Sequence, residues 1–349
     1  MHIFYTDRHK QHATDRVSFE GHPFVTEEIP ARAEVILDAV QTAGLGPVRA
    51  PDDHGLEPIL AVHDTDFVDF IRTAYAENVT VRQEAQPIFP HTFAVRHRGR
   101  KPNSFLGLRG YYAFGWGTPI LEGTWQAAYW AAQCALSAAD LVRAGERTAY
   151  ALCRPPGHHA AADLFGGFCY LNNAAIAARH LQAGARVAIL DIDYHHGNGT
   201  QAIFYADPSV LFCSLHAHPD DDYPFYWGEA GERGQGPGEG LDHNWPLPQG
   251  TDDLGYLATL DAALAAIRAS GPHYLVVSAG FDTVAGDPVG GFCLTTECLG
   301  EIGRRIAALN LPTVIVQEGG YLLDRLGENA TAFLRAFVLS ESSGDASAM

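Results

Sequence analysis

Cysteine is present but unorganised. The six residues Cys134, Cys153, Cys169, Cys213, Cys293 and Cys298 include no C-x-x-C pair and follow no regular spacing. Most lie in apolar runs, so free thiols in a reducing compartment are a better reading than a disulfide framework. No hydrophobic run is long enough to span a bilayer. The stretch Met1 to Arg8 lacks the long apolar region of a signal peptide, which points to a cytoplasmic protein. Positive charge is scarce: 23 Lys and Arg stand against 41 Asp and Glu, a net charge of −18. Such a surface repels nucleic acid and attracts cations. One basic cluster, Arg96 to Lys101, sits near the aromatics Tyr111, Tyr112, Phe114 and Trp116. It is short for a nucleic-acid site in so acidic a chain, and a loop buttress or subunit contact is the better reading. Neither an internal repeat nor an interdomain linker is visible. One domain over residues 1–340 is expected, with a small polar tail, 341–349, that frays.

What is there is a core-forming composition, 47% hydrophobic and 18% charged, arranged as alternating strands and helices. The apolar runs at 2–5, 149–153, 187–191, 210–215, 274–278 and 313–317 read as strands. Helical spacing appears at 31–43, 64–77, 124–144, 173–183, 253–269, 295–309 and 329–339. Thr124 is placed to cap the longest of these, and its Trp125 and Trp130 read as core. The segments 6–30 and 78–119 read as long irregular loops. The alternation implies an α/β fold, a mainly parallel sheet flanked by helices on both faces.

The unusual polar residues cluster at the ends of the strands. Val187 to Leu190 leads into Asp191-Ile-Asp193-Tyr-His195-His196-Gly-Asn198-Gly, where two glycines suit a loop leaving the strand. Alternation puts Asp191, Asp193 and His195 on one side, half of a divalent-metal site. Three other strand ends carry Arg154-Pro-Pro-Gly-His158-His159, Ser278-Ala-Gly-Phe-Asp282 and Glu318-Gly-Gly-Tyr321. Taken singly, each has a duller explanation as a cap, a turn or a satisfied pair. A parallel sheet gathers its carboxyl ends on one rim, where ligands bind. Asp193, His195 and Asp282 can then meet on one metal with an open position. Oxygen-rich ligation admits Fe²⁺ or Mn²⁺ as well as Zn²⁺.

These motifs, with Gly167-Phe168-Cys169-Tyr170-Leu171-Asn172-Asn173 between them and Gly110-Tyr111-Tyr112 before them, resemble the histone deacetylase superfamily and within it the acetylpolyamine amidohydrolase branch. The similarity runs from His2 to about Phe337. It implies the arginase–deacetylase fold and zinc-dependent hydrolysis of an N-acetylated amine. By the same resemblance, Asp193, His195 and Asp282 match the zinc ligands. His159 matches the general base and acid, His158 its electrostatic partner, and Tyr321 the tyrosine that polarises the carbonyl. Phe168 and Tyr223 match the aromatic pair of a substrate tunnel that includes Gly167, with Phe the commoner residue at the second position. Asp191, Asp193, His195, Ser214 and Leu215 resemble a structural potassium site. A homodimer, built by the two long loops and closed to folded protein substrates, is implied too.

Chemistry sharpens the roles. A carboxylate beside His158, expected to be Asp191, favours the imidazolium. Asn198, expected beside His159, is neutral and would leave that histidine near pH 7, free to move a proton during turnover. One departure stands out. Polyamine-specific members hold distant ammonium groups with acidic residues at the tunnel mouth, where this chain has Val17, Leu106 and Gly117. Asp15, Glu20 and Glu122 lie nearby in sequence as substitutes. Deacetylation of acetyl-lysine in proteins or peptides, or deacylation of a less cationic amine, therefore stays open. So do a metal-holding protein without activity and an arginase-type hydrolase, although ligands for only one catalytic metal are found.

Overall fold

The structure is a computed structural model that describes residues 1–83, 85–94 and 100–346. The strands, in chain order, are β1 His2–Phe4, β2 Ser18–Phe19, β3 His22–Pro23, β4 Val48–Arg49, β5 Thr148–Ala151, β6 Val187–Asp191, β7 Val210–Ala217, β8 Asp242–Leu247, β9 Tyr274–Ala279 and β10 Thr313–Gln317. Eight of them form one sheet in the order β4-β1-β5-β10-β9-β6-β7-β8. Every neighbouring pair in it is parallel. The four central strands, β5, β10, β9 and β6, carry the four motifs found in the sequence, so their carboxyl ends share one rim. Register keeps those ends level: Asp191 pairs with Ser278, Gln317 with Ala279, and Val316 with Ala151.

Among the described residues the α-helices are α1 Ala31–Thr42, α2 Glu57–Leu60, α3 Thr65–Arg82, α4 Phe105–Tyr111, α5 Thr124–Arg143, α6 Asn173–Leu181, α7 Asn198–Phe204, α8 Asp253–Ser270, α9 Thr296–Ala307 and α10 Leu323–Ala346. They divide between the two faces of the sheet. Alternate strand residues such as Val187, Ile189, Val314 and Val316 pack with α3, α5 and α6. Their neighbours Ala188, Leu190, Leu275 and Ile315 pack with α1, α8, α9 and α10. A strand buried on both sides reads as a continuous apolar run, and Val187–Leu190 does so.

Several expectations are corrected. Segment 6–30 is not a surface loop throughout. It holds two 3₁₀ turns, Asp7–Gln11 and Thr14–Arg16, and the β2–β3 hairpin. It buries His9, His12, Thr14 and Glu28. Polar contacts drive this burial: the Arg154 guanidinium donates to the carbonyls of His9 and His12, each at 2.8 Å. No apolar periodicity announces such an anchor. Segment 78–119 likewise contains the end of α3 and all of α4. Thr124 opens α5 rather than capping it; its Oγ1 accepts from Leu121 N–H at 2.7 Å. Trp130 is only partly buried, and the Arg8 guanidinium sits 4.2 Å above its ring. Of the two glycines after His196, Gly197 stays in the loop as the N-cap residue of α7, whereas Gly199 belongs to the helix. The edge strands β4 and β8 were not foreseen; β8 contains Pro246, which an edge tolerates. α10 begins earlier than expected and continues past Ser340. Residues 96–99 of the basic cluster and 347–349 of the tail lie outside the described residues; Lys101, at the end of that cluster, ion-pairs with Asp66 of α3. All six cysteines are free. No described helix is long and apolar enough to cross a membrane.

Candidate active site

Asp191 closes β6, and Asp193 and His195 follow it on the rim. Asp282 lies three residues beyond the end of β9. The ligand atoms of Asp193, His195 and Asp282 lie within 4.8 Å of one another. His195 Nδ1 is 3.2 Å from Asp193 Oδ1 and 3.2 Å from Asp282 Oδ2. Backbone amides fix the carboxylates: Gly319 N–H donates to Asp193 Oδ2 at 2.8 Å and Tyr194 N–H to Asp282 Oδ1 at 3.0 Å. Gly280 and Gly319 make room, since a Cβ at either would collide with these carboxylates. Asp282 Oδ2 is buried without a hydrogen-bond partner. Burial and the Asp193 charge push the Asp282 carboxyl up to about 7. Two buried carboxylates and an imidazole this close, with one oxygen left over, fit a divalent cation between them. One nitrogen and several oxygens suit Zn²⁺, with Fe²⁺ compatible.

The two histidines after β5 sit in different environments. His158 Nδ1 donates to Asp191 Oδ2 at 2.9 Å, and its Nε2 is 3.8 Å from Asp193 Oδ1. Burial opposes its charge, but Asp193 and Asp191 outweigh burial and hold the imidazole up at about 10. His159 Nδ1 donates to Asn198 Oδ1 at 2.7 Å. Burial, then the neighbouring His158 and His195, push His159 well below its ordinary value. The hydrogen bond to Asn198 acts in the opposite sense, so burial and the two neighbouring histidines, not Asn198, overturn the expectation of a value near pH 7. The start of α7 secures the pair, because Gly199 and Thr200 N–H both donate to the His158 carbonyl at 3.1 Å.

Tyr321 follows Gly319-Gly320 after β10; Gly320 has φ 114°, which glycine adopts without strain. Its turn is held from outside by residues that sequence reading missed. Tyr321 N–H donates to Asp287 Oδ2 at 2.7 Å. Arg32, from α1, donates to the Gly320 carbonyl at 2.6 Å and to the Glu318 carbonyl at 2.7 Å. Glu28 bridges Arg32 at 3.1 Å and Arg154 at 2.8 Å. Glu318 Oε2 in turn accepts from Gly157 and His158 N–H at 2.6 and 3.1 Å. One buried polar chain thus ties the tyrosine turn to the histidine turn. Glu28 had no legible signal, since it lies 126 residues from Arg154 in a segment without pattern.

A cavity of about 700 Å³ opens onto these groups. His158, His159, His195 and Tyr321 line its floor, and Gly167, Phe168 and Tyr223 line its wall. Phe168 stands 5.9 Å from Tyr321 between ring centroids, and Tyr223 4.9 Å from His159. The residues of the expected potassium site are adjacent, with Asp191 in register with Ser214 and Leu215 next to it. Both Asp191 oxygens already accept hydrogen bonds, from Asp193 N–H and His158. The Ser214 hydroxyl is engaged with His216 Nδ1 at 2.8 Å. Of the three mouth positions, only Gly117 lines the cavity. Val17 packs with Phe89 and Leu121, and Leu106 is exposed on α4. Asp15, Glu20 and Glu122 do not line the cavity either; Asp222, which sequence reading missed, does.

Residues 26–337 match the histone deacetylase domain family. The chain is 44% identical over 338 residues to acetylpolyamine amidohydrolase 1 of Pseudomonas aeruginosa, covering 95% of this chain and 97% of that one. It is 44% identical over 340 residues to the acetylpolyamine amidohydrolase of Burkholderia pseudomallei, covering 96% and 97%. A crystal structure of acetylpolyamine aminohydrolase from Burkholderia pseudomallei superposes with a TM-score of 0.90 at 43% identity, covering 97% of this chain and 98% of that one. The parallel sheet with its ligand-bearing rim is thus the arginase–deacetylase fold, and the chain belongs to the histone deacetylase superfamily, in its acetylpolyamine amidohydrolase branch.

Proposed function

We propose that this protein is a zinc-dependent amidohydrolase that removes the acetyl group from small N-acetylated amines of the acetylpolyamine kind. The observation that carries this is the meeting, in one cavity, of a three-ligand metal set with His158, His159 and Tyr321. Acetamides are poor electrophiles and water is a poor nucleophile. Zinc held by Asp193, His195 and Asp282 would polarise the carbonyl and lower the pKa of the attacking water. His159, kept neutral, takes the water's proton at Nε2 and returns it to the leaving amine. Asn198 holds its other nitrogen. His158 stays an imidazolium beside Asp191 and supplies fixed positive charge next to the oxyanion. The Tyr321 hydroxyl donates to that oxyanion. Phe168, Tyr223 and Gly167 enclose the acyl-bearing chain.

The same reading includes a structural K⁺ around Asp191, Asp193, His195, Ser214 and Leu215, a cytoplasmic location and a homodimer. Free cysteines support the reducing compartment. The loop residues Trp116 and Gly117 reach the cavity wall, which supports a mouth narrowed by loops that also meet a second subunit. Light scattering at micromolar concentration tests this, and a monomer would remove the dimer. The activity is tested by assaying zinc-loaded protein on acetylputrescine, acetylcadaverine, acetylspermidine and an acetyl-lysine peptide, with metal analysis alongside. Preference for the free acetylamines is expected. Preference for the peptide would move the assignment to protein deacetylation, and acetate from none of them would end it.

A further inference from the structure

Outside the catalytic groups, the cavity wall presents one carboxylate among the described residues, Asp222. The rest of the wall is glycine, proline, valine, threonine, glutamine and aromatic rings. Asp222 Oδ2 accepts from the Tyr194 hydroxyl at 2.7 Å, and Oδ1 from Tyr223 N–H at 2.8 Å. Both donors are neutral, so they aim the carboxylate without cancelling its charge. Among the described residues, no Lys, Arg or His pairs with it. The carboxylates at the floor differ, since Asp191 and Asp193 both face His158. Trp116 lines the same cavity and is 55% exposed. Its ring is held by Phe24 and Phe19, at centroid distances of 5.8 and 6.1 Å. An indole face attracts a cation, as a carboxylate does.

We infer that Asp222, with the ring of Trp116, forms the subsite for the far, positively charged nitrogen of the acylated amine. This rests on the amidohydrolase reading and names the feature that selects its substrate. An alkylammonium leaving water needs a partner inside the cavity. Val17, Leu106 and Gly117 cannot provide one. The anchored carboxylate can, at the price of no new ion pair inside the protein. The substrate is therefore an acylated diamine or longer polyamine, with its charge at the cavity wall, rather than an uncharged amide.

The test compares N-acetylcadaverine with N-acetylpentylamine, which has the same chain without the second nitrogen, on zinc-loaded protein. Wild type should favour the charged compound in kcat/KM, and that preference should shrink as ionic strength rises. Asp222→Asn retains an acceptor for Tyr194 and should lower the ratio of the two kcat/KM values roughly tenfold, the scale of one charge-assisted hydrogen bond. Trp116→Leu should lower it by a smaller factor. An unchanged ratio in Asp222→Asn, or a wild-type preference that ignores salt, overturns the subsite while acetate release upholds the amidohydrolase reading. The salt series needs no variant and stands if Asp222→Asn fails to fold. Release of acetate from neither compound overturns both readings.

Discussion

The guanidinium carbon of Arg32 lies 4.4 Å from the centroid of the Tyr321 ring. The same group donates to the carbonyls on both sides of Gly319. Arg32 therefore sets the backbone turn and the ring that the turn presents. Lysine at this position would keep the charge but lose the planar fork. In Arg32→Lys, kcat should fall about tenfold, because one or two buried carbonyls lose a donor worth roughly 1–3 kcal/mol each. Metal content should stay near wild type. Full kcat in this variant would show that the turn holds itself.

Tyr321→Phe removes only the hydroxyl and leaves the Arg32 contact. Turnover should drop by about 10²–10³, or roughly 3–4 kcal/mol, as for loss of one oxyanion donor. Zinc binding and melting temperature should be nearly unchanged. Metal analysis, a melting curve and kcat measured on one preparation check all three. Undiminished turnover would place the donor elsewhere.

Asn198→Asp sets a second carboxylate against an imidazole, copying the His158–Asp191 pair. The added charge favours the His159 imidazolium and raises its pKa. A protonated His159 cannot act as base, so the acidic limb of the kcat/KM profile should move to higher pH. An unmoved limb would mean that His159 does not titrate in that limb.

The chemistry was legible where polar residues interrupt apolar strand ends. Asp193, His195, Asp282 and Tyr321 each fall within four residues of such an end, and parallel alternation already implied a shared rim. The supporting frame was not legible. Glu28 and Arg32 bracket the start of a helix whose apolar face gives no hint that its first-turn arginine turns inward. Asp222 ends the acidic run Asp220-Asp221-Asp222, and only the folded chain between β7 and β8 brings it to the cavity. The 6–30 segment was misread because buried backbone carbonyls, not side-chain pattern, secure it to Arg154.

Gly319 shows how little slack the metal set has. A Cβ there would lie inside contact distance of Asp282 Oδ2 and 2.6 Å from Asp193 Oδ2. Gly319→Ala should fold but bind zinc at least tenfold more weakly, about 1.4 kcal/mol. In wild type, zinc at 100 times its Kd should add about 2.7 kcal/mol of stability that a chelator removes. Calorimetry with and without chelator measures both effects. An equal zinc-dependent shift in the variant would mean that the carboxylates are free to move.

His63 lies under the histidine turn, and its protonation links stability to pH. Its Nδ1–H donates to the Ala161 carbonyl at 2.9 Å, and its Nε2 accepts from Asn172 N–H at 2.9 Å. An imidazole that accepts at one nitrogen and donates at the other is neutral. Burial lowers its pKa to about 4 despite the Ala161 carbonyl, which acts in the opposite sense. The unfolded chain takes up that proton near pH 6.5, so between pH 6.5 and 4 it binds more protons than the folded one. Stability therefore falls as pH drops through this window, by roughly 3 kcal/mol for this group alone. In His63→Gln the amide can make both bonds and does not titrate. The variant's stability should fall less steeply than wild type from pH 6.5 to 4, whatever its stability at pH 7. Parallel slopes in denaturant titrations across that range would show that His63 is already free to take up its proton in the folded protein.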